Sequence, residues 1–298
     1  MKTLVITGSS GYVGEHLALR AIELGYEVIG IDREKSTNLP CVQFTVDLAF
    51  ENIAHLIPRG ATVIHLASLS SDSLCRENPV LAIEANLKAT ALIVLASEES
   101  SAEQIVFASS EWVYPENTEL IDQVETDSLD LTDLNSLYAI SKLVGESIIR
   151  TTSKAPYSLL RFGIVYGPRL KPGSSAENLA LKVYNNEEVR VSSIMTSRRF
   201  IYIDDLIEAI LKVVAFGPVS NGGIALNIAG PEIISFSKIV ETSNIILGKS
   251  VAIIDGGNPP SIRNPLINRA YLLIDWQPRV EFSTGIRNCL KSMTNSAN

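Results

Sequence analysis

Short apolar runs and longer stretches of helical period alternate through the first half of the chain. Leu4, Val5 and Ile6 form a run too short for a helix, and it stops at a turn carrying Gly8, Gly11 and Gly14. Val13, Leu17, Ala18, Ala21 and Leu24 then recur with helical spacing, which predicts a helix from Gly11 to Leu24 with Gly25 as its stop. Further strands are predicted at Glu27 to Ile31, Val42 to Val46, Ala61 to Leu66, Gln104 to Ala108 and Tyr157 to Tyr166, and helices over roughly Pro79 to Ser97 and from Asn135-Ser136 onward. Alternation of this kind predicts an α/β fold, a doubly wound parallel sheet. The expected division is residues 1–167 for the sheet domain and 168–298 for a smaller, mainly substrate-binding part. Segments around Tyr202 to Val214 and Ile224 to Ile228 are expected to return to the first domain.

A buried strand that passes through a glycine turn into a helix is a phosphate-binding device. Gly8 permits the tight turn, Gly11 lets the backbone approach a pyrophosphate, and Gly14 lets the helix pack on the strand. Asp32 stands at the end of the second strand, about 20 residues on, where an acid can hold adenosine ribose hydroxyls. That points to NAD. Arg33, its neighbour, is the type of residue that accepts a 2′-phosphate, so NADP stays open as the second choice.

Chemistry is suggested where the fifth strand ends, at Ser109-Ser110-Glu111-Trp112-Val113-Tyr114, because ligands of open parallel sheets bind outside the carboxyl ends of strands. The helix opened by Asn135-Ser136 carries Tyr138 and Lys142, four apart and so on one face. A tyrosine titrates near 10, and a nearby cation, from Lys142 and from an oxidised nicotinamide, favours its phenolate, which makes Tyr138 a candidate base with Ser110 hydrogen-bonded to the reacting oxygen.

Bulk properties narrow the partners. The 298 residues, 46% of them hydrophobic, hold ample core. A net charge of −8 argues against non-specific binding to nucleic acid or an anionic membrane. No apolar run of leader or transmembrane type stands out, so a soluble cytoplasmic protein with a small-molecule substrate is expected. Cys41, Cys75 and Cys289 lack metal-ligand spacing, and no metal is expected.

The phrase Thr7-Gly8-Ser9-Ser10-Gly11-Tyr12-Val13-Gly14 resembles the short-chain dehydrogenase/reductase superfamily, in its extended, epimerase/dehydratase branch. So do Asn86 with Thr90, Val165-Tyr166-Gly167-Pro168-Arg169, Arg198 to Leu206, Leu226-Asn227-Ile228-Ala229-Gly230 and Trp276-Gln277-Pro278 with Gly285. The resemblance implies a Rossmann-like domain and a catalytic set of Ser110, Tyr138 and Lys142. It implies cofactor contacts from Gly8, Gly11, Tyr12, Val13, Gly14, Asp32, Asp47, Leu48, Leu66, Ala67, Ser68, Tyr138, Lys142 and Phe162, and substrate contacts from Ser70, Ser110 and Arg198. It implies a backbone-supporting role for Asn86 and a homodimer, while His65, lone beside apolar residues, is read as a packed histidine with no catalytic role.

The activity implied is NAD-dependent modification of a sugar, most often nucleotide-linked, with epimerisation favoured. Three departures bear on it. Ile164 stands where nucleotide-sugar members often have Asn; Glu111-Trp112 replaces the Asp-Glu pair of 4,6-dehydratases; and the segment around Arg263 is short, which favours Arg198 as the phosphate ligand. An NAD(P)-dependent reductase or dehydrogenase of a compound that is not nucleotide-linked, and a catalytically idle NAD(P)-binding regulatory protein, remain as alternatives.

Overall fold

The computed structural model describes residues 2–219 and 222–295. Its centre is a seven-stranded sheet: β1 (Thr3–Thr7), β2 (Glu27–Asp32), β3 (Val42–Thr45), β4 (Thr62–His65), β5 (Gln104–Ser110), β6 (Tyr157–Phe162) and β7 (Gly223–Ile228), in spatial order β7-β6-β5-β4-β1-β2-β3. The pairs β1 with β2, β1 with β4, β2 with β3 and β4 with β5 are parallel. The order reverses between β1 and β4, which makes the carboxyl end of β1 a topological switch point. Strand β5 is buried at every position, as expected of a strand covered on both faces.

The helices that matter here are α1 (Tyr12–Glu23), α2 (Asp72–Glu77), α3 (Pro79–Glu99) and α4 (Leu137–Thr152). Ser136 caps α4 by accepting from the Ala139 amide, while its own hydroxyl donates to Asp72 on α2. Helix α3 corrects one expectation. It is continuous, and long and apolar enough by length and composition to span a bilayer. Its buried face carries Asn86, Thr90, Ile93 and Val94 and packs on β4 and β5, the placement of a core helix. Helix α2 has no counterpart in the sequence reading, since it is a six-residue segment too short to show a period.

Two compact units divide the chain: residues 1–113, 128–161 and 207–226 form one, and 114–127, 162–206 and 227–298 the other. The sixth predicted strand breaks in two, at Phe162 and again from Val165 to Tyr166. Gly163 lies at the break, where a Cβ would meet the Arg199 carbonyl oxygen at 2.3 Å. In the second unit, Tyr166 is walled by Phe200, Tyr202 and Phe282, and Gly285 leaves room for its hydroxyl. Asp205 accepts from the Arg279 and Val280 amides, and its carbonyl takes the Trp276 indole N–H. Those bonds account for the resemblance motifs around Asp205 and Trp276 as packing devices.

A buried polar relay crosses the first unit. Thr90 Oγ1 donates to the Asn86 carbonyl at 2.6 Å, so it accepts from His65 Nε2, and His65 Nδ1 in turn accepts from Thr7 Oγ1 at 2.7 Å. His65 is therefore neutral. Burial, helped by the nearby Lys142 charge, holds its pKa down at about 3. Between pH 6.5 and 3 the unfolded chain binds a proton at this histidine that the folded chain does not, so stability falls as pH falls through that window. Urea unfolding at pH 6.5 and pH 5 should show a loss of about 2 kcal/mol from this residue, at ~1.4 kcal/mol per pH unit, and His65→Gln should flatten the dependence.

Candidate active site

The carboxyl end of β1 runs into the glycine turn. Gly8 has φ +73°, and a Cβ there would lie 2.7 Å from the Ala67 nitrogen. At Gly14 a Cβ would strike the Gly8 carbonyl oxygen at 2.0 Å. Both positions therefore exclude side chains, and Gly11 at the start of α1 offers none, so the first amides of the helix face outward for an anion. Asp32 is drawn into the same turn: its carboxylate accepts from the Ser10 amide at 2.9 Å and the Arg33 amide at 2.7 Å. A cradle of bare backbone closed by a carboxylate fits a dinucleotide with free ribose hydroxyls.

The other expected cofactor residues fall at neighbouring strand ends. Tyr12 and Val13 open α1, with Tyr12 stacked edge-on against His16. Asp47 and Leu48 follow β3, and the Asp47 carboxylate accepts from the Ala49 amide. Leu66, Ala67 and Ser68 follow β4, where the Leu66 amide bonds Thr7 O and the Ala67 amide bonds Thr7 Oγ1. Ser70 is exposed in the loop beyond them. Phe162 ends β6 and belongs to the second unit, where it is buried.

Ser110, Tyr138 and Lys142 converge in the first unit. Ser110 is the last residue of β5 itself, and its hydroxyl acts on the Tyr138 phenol, lowering its pKa. Ser110 Oγ also accepts from the Trp112 amide at 3.2 Å, and the Trp112 indole meets the Tyr138 ring edge-on at 5.9 Å. The Lys142 ammonium lies 5.8 Å from the Tyr138 ring centre and donates to the Ala108 carbonyl at 2.8 Å.

In the protein alone, without a nicotinamide charge, burial governs both groups. Burial pushes the Tyr138 phenol up to about 12, the Ser110 hydrogen bond opposes this, and the charges of Cys75 and buried Glu111 raise it further. Lys142 is brought down to about 8 by burial. The lysine does not by itself make the phenol a base in this structure, because desolvation outweighs it and its ammonium is committed to Ala108.

Of the residues that support the site, the resemblance names Asn86 and the sequence leaves Glu146 unmarked. Asn86 accepts from the Leu69 amide at 2.7 Å and donates to Leu69 O and Ser141 Oγ, joining the loop after β4 to α4. Glu146, one turn beyond Lys142, accepts from Ser109 Oγ at 2.6 Å and from Arg161 Nε and Nη2, each at 2.9 Å. The i, i+4 step from Lys142 to Glu146 is readable, but Arg161 as its partner is not.

In the second unit, Arg198 is buried and donates to Ser197 O, Ser261 O and Ser261 Oγ. Arg263, the residue the sequence reading ranks lower, is buried as well and shares with Arg198 the carboxylate of Glu116. Among the described residues no group of three or more His, Cys, Asp or Glu is arranged to hold a metal ion.

A glycine turn at a sheet switch point, an acid at the end of β2 and a Ser-Tyr-Lys set at the end of β5 form the arrangement of a dinucleotide-dependent α/β enzyme. The profile of the NAD dependent epimerase/dehydratase family matches residues 4–229, and the chain belongs to that family. An uncharacterised UDP-glucose epimerase of Bacillus subtilis is 26% identical over 309 residues, covering 96% of each chain. A probable UDP-glucuronate 4-epimerase of Rhizobium meliloti is 26% identical over 243 residues, 74% of this chain and 70% of its own. Among solved structures, the UDP-glucuronic acid 4-epimerase of Bacillus cereus with UDP-glucuronic acid and NAD superimposes with a TM-score of 0.83 at 21% identity, over 98% of this chain and 99% of that one. The family's cofactor is NAD, in agreement with the reading of Asp32.

Asp32→Asn keeps an acceptor for the Ser10 amide and removes the charge that repels a 2′-phosphate. The ratio of NADPH to NADH affinity, titrated by nicotinamide fluorescence, should rise roughly tenfold. An unchanged ratio would mean that the ribose end is read by another residue.

Proposed function

We propose that the protein is an NAD-dependent epimerase of a nucleotide-linked sugar, with Tyr138 as its acid/base. The observation that carries this reading is the convergence of Ser110, Tyr138 and Lys142, with Trp112 bonded to Ser110 and packed on the Tyr138 ring and the Lys142 ammonium 5.8 Å from that ring's centre. It is supported by relatives whose names describe UDP-sugar epimerases along nearly the whole chain.

NAD, when bound, supplies reversible hydride acceptance and the positive charge of its oxidised ring. The chain's own residues handle the proton and the orientation. Ser110 Oγ accepts the Trp112 N–H, which leaves its hydrogen directed toward Tyr138 or a substrate oxygen. Tyr138 Oη, as the phenolate that the positive charge of an oxidised ring would favour, would take the proton of the reacting sugar hydroxyl and return it when the opposite epimer forms. Lys142, buried and fixed on Ala108, would hold the cofactor's ribose and add a cation near the phenol. Placement of these groups before reaction, rather than their number, is what lowers the barrier. Arg198 is the ligand for the substrate's diphosphate, since arginine's planar fork suits phosphate oxygens.

A panel of UDP-sugars followed for both isomerised product and free reduced cofactor tests the reading. Epimer should appear without net NADH; stoichiometric NADH would assign a dehydrogenase or reductase, the activity that Ile164 in place of asparagine keeps in view. On the substrate so found, Tyr138→Phe should lower kcat about 10³-fold with NAD affinity nearly unchanged. Arg198→Ala should raise KM roughly tenfold and leave kcat within about twofold.

A further inference from the structure

The segments at residues 114–117, 196–198 and 261–264 are stitched together by backbone bonds: Asn117 and Ile262 exchange both N–H···O contacts, the Ser197 amide bonds Ser261 O, and the Arg263 amide bonds Ser197 O. This frame holds two buried guanidinium groups. Arg198 is fixed by Ser197 O at 2.8 Å, Ser261 O at 2.5 Å and Ser261 Oγ at 2.6 Å, and Arg263 by Tyr114 O at 3.0 Å. Both also reach one oxygen, Glu116 Oε1, at 3.4 Å from Arg198 and 3.1 Å from Arg263. The carboxylate differs from its partners in burial: its side chain is 51% exposed, against 7% and 4% for the arginines.

We infer that Glu116 is a displaceable internal counter-ion that competes with an incoming diphosphate for the arginine pair and so sets the affinity for the anionic part of the substrate. This inference rests on the nucleotide-sugar reading for its physiological ligand but not for its physics. Backbone carbonyls and Ser261 already position the guanidiniums, and the contacts to Glu116 are the longest that either makes among those described. A half-exposed carboxylate can turn to water at little cost, because the ion pair of an exposed acid is worth little. A diphosphate brings more charge and more acceptor oxygens than one carboxylate, so it replaces Glu116 on the forks. Binding is then weaker than the arginines alone would give, by the strength of the contact that must be broken.

Calorimetric titration of inorganic pyrophosphate and, separately, of UDP into the NAD-loaded protein, as wild type, Glu116→Gln and Arg198→Ala, tests this. Glu116→Gln keeps the side chain's shape and removes its charge. It should tighten both pyrophosphate and UDP about three- to tenfold, while Arg198→Ala weakens both. Unchanged or weaker pyrophosphate binding in Glu116→Gln would make Glu116 an anchor for the arginines and overturn the inference, as would pyrophosphate that binds neither protein. Pyrophosphate behaving as expected while UDP fails to bind would leave the counter-ion standing and remove the nucleotide-sugar reading instead.

Discussion

The Glu146 carboxylate is the contact on which the geometry of the candidate site depends. It is buried on α4 and takes three short hydrogen bonds, one from Ser109 on β5 and two from the Arg161 guanidinium on β6. Tyr138, Lys142 and Glu146 follow at intervals of four, so they lie along one face of the helix. Fixing Glu146 to two strands therefore fixes the height and rotation of Tyr138 above Ser110. A buried pair of this kind adds little net stability against an apolar substitute, but breaking it strands a charge and costs about 3–5 kcal/mol. It contributes more to register than to stability.

A second constraint acts on the helix at Ser141, beside Lys142. Asn86 ties the loop after β4 to Ser141, and through Thr90 and His65 it is continuous with Thr7 at the mouth of the glycine turn. Each member has a partner of the right sense only if His65 is neutral and carries its proton on Nε2. The same relay thus links the cofactor cradle to the helix that bears Tyr138. His65, read from the sequence as a packed histidine without a catalytic role, is a structural connector between the two.

Much of this was legible in the sequence because it is written in local spacing. The glycine turn, the acid at the end of β2, the Ser136 cap and the Tyr138 to Lys142 step are all short-range patterns, and the structure places them at the expected strand and helix ends. Strand β5 runs two residues further than predicted, which moves Ser110 from the turn into the strand. What could not be read is long-range. Arg161 finds Glu146 across 15 residues, and Arg198 and Arg263 find Glu116 from 82 and 147 residues away. The break at Gly163 is likewise set by the approach of the Arg199 carbonyl, a distant segment.

The electrostatics of Tyr138 were the other thing that spacing concealed. A step of four from a tyrosine to a lysine suggests mutual stabilisation of phenolate and ammonium, yet both groups are desolvated, and desolvation moves each toward its neutral form. The phenol rises to about 12 and the lysine falls to about 8. Lys142 cannot turn fully to the phenol without giving up Ala108, and Glu111 and Cys75 add opposition from the side of β5 and α2. A phenol held protonated in this way is a proton donor more readily than an acceptor. For it to accept a proton near neutral pH, a further positive charge must enter the same desolvated space, where charge acts over a low dielectric and a single unit shifts such a group by several pH units. The burial that suppresses basicity in the protein alone is therefore also what makes the site responsive to the charge state of an oxidised dinucleotide.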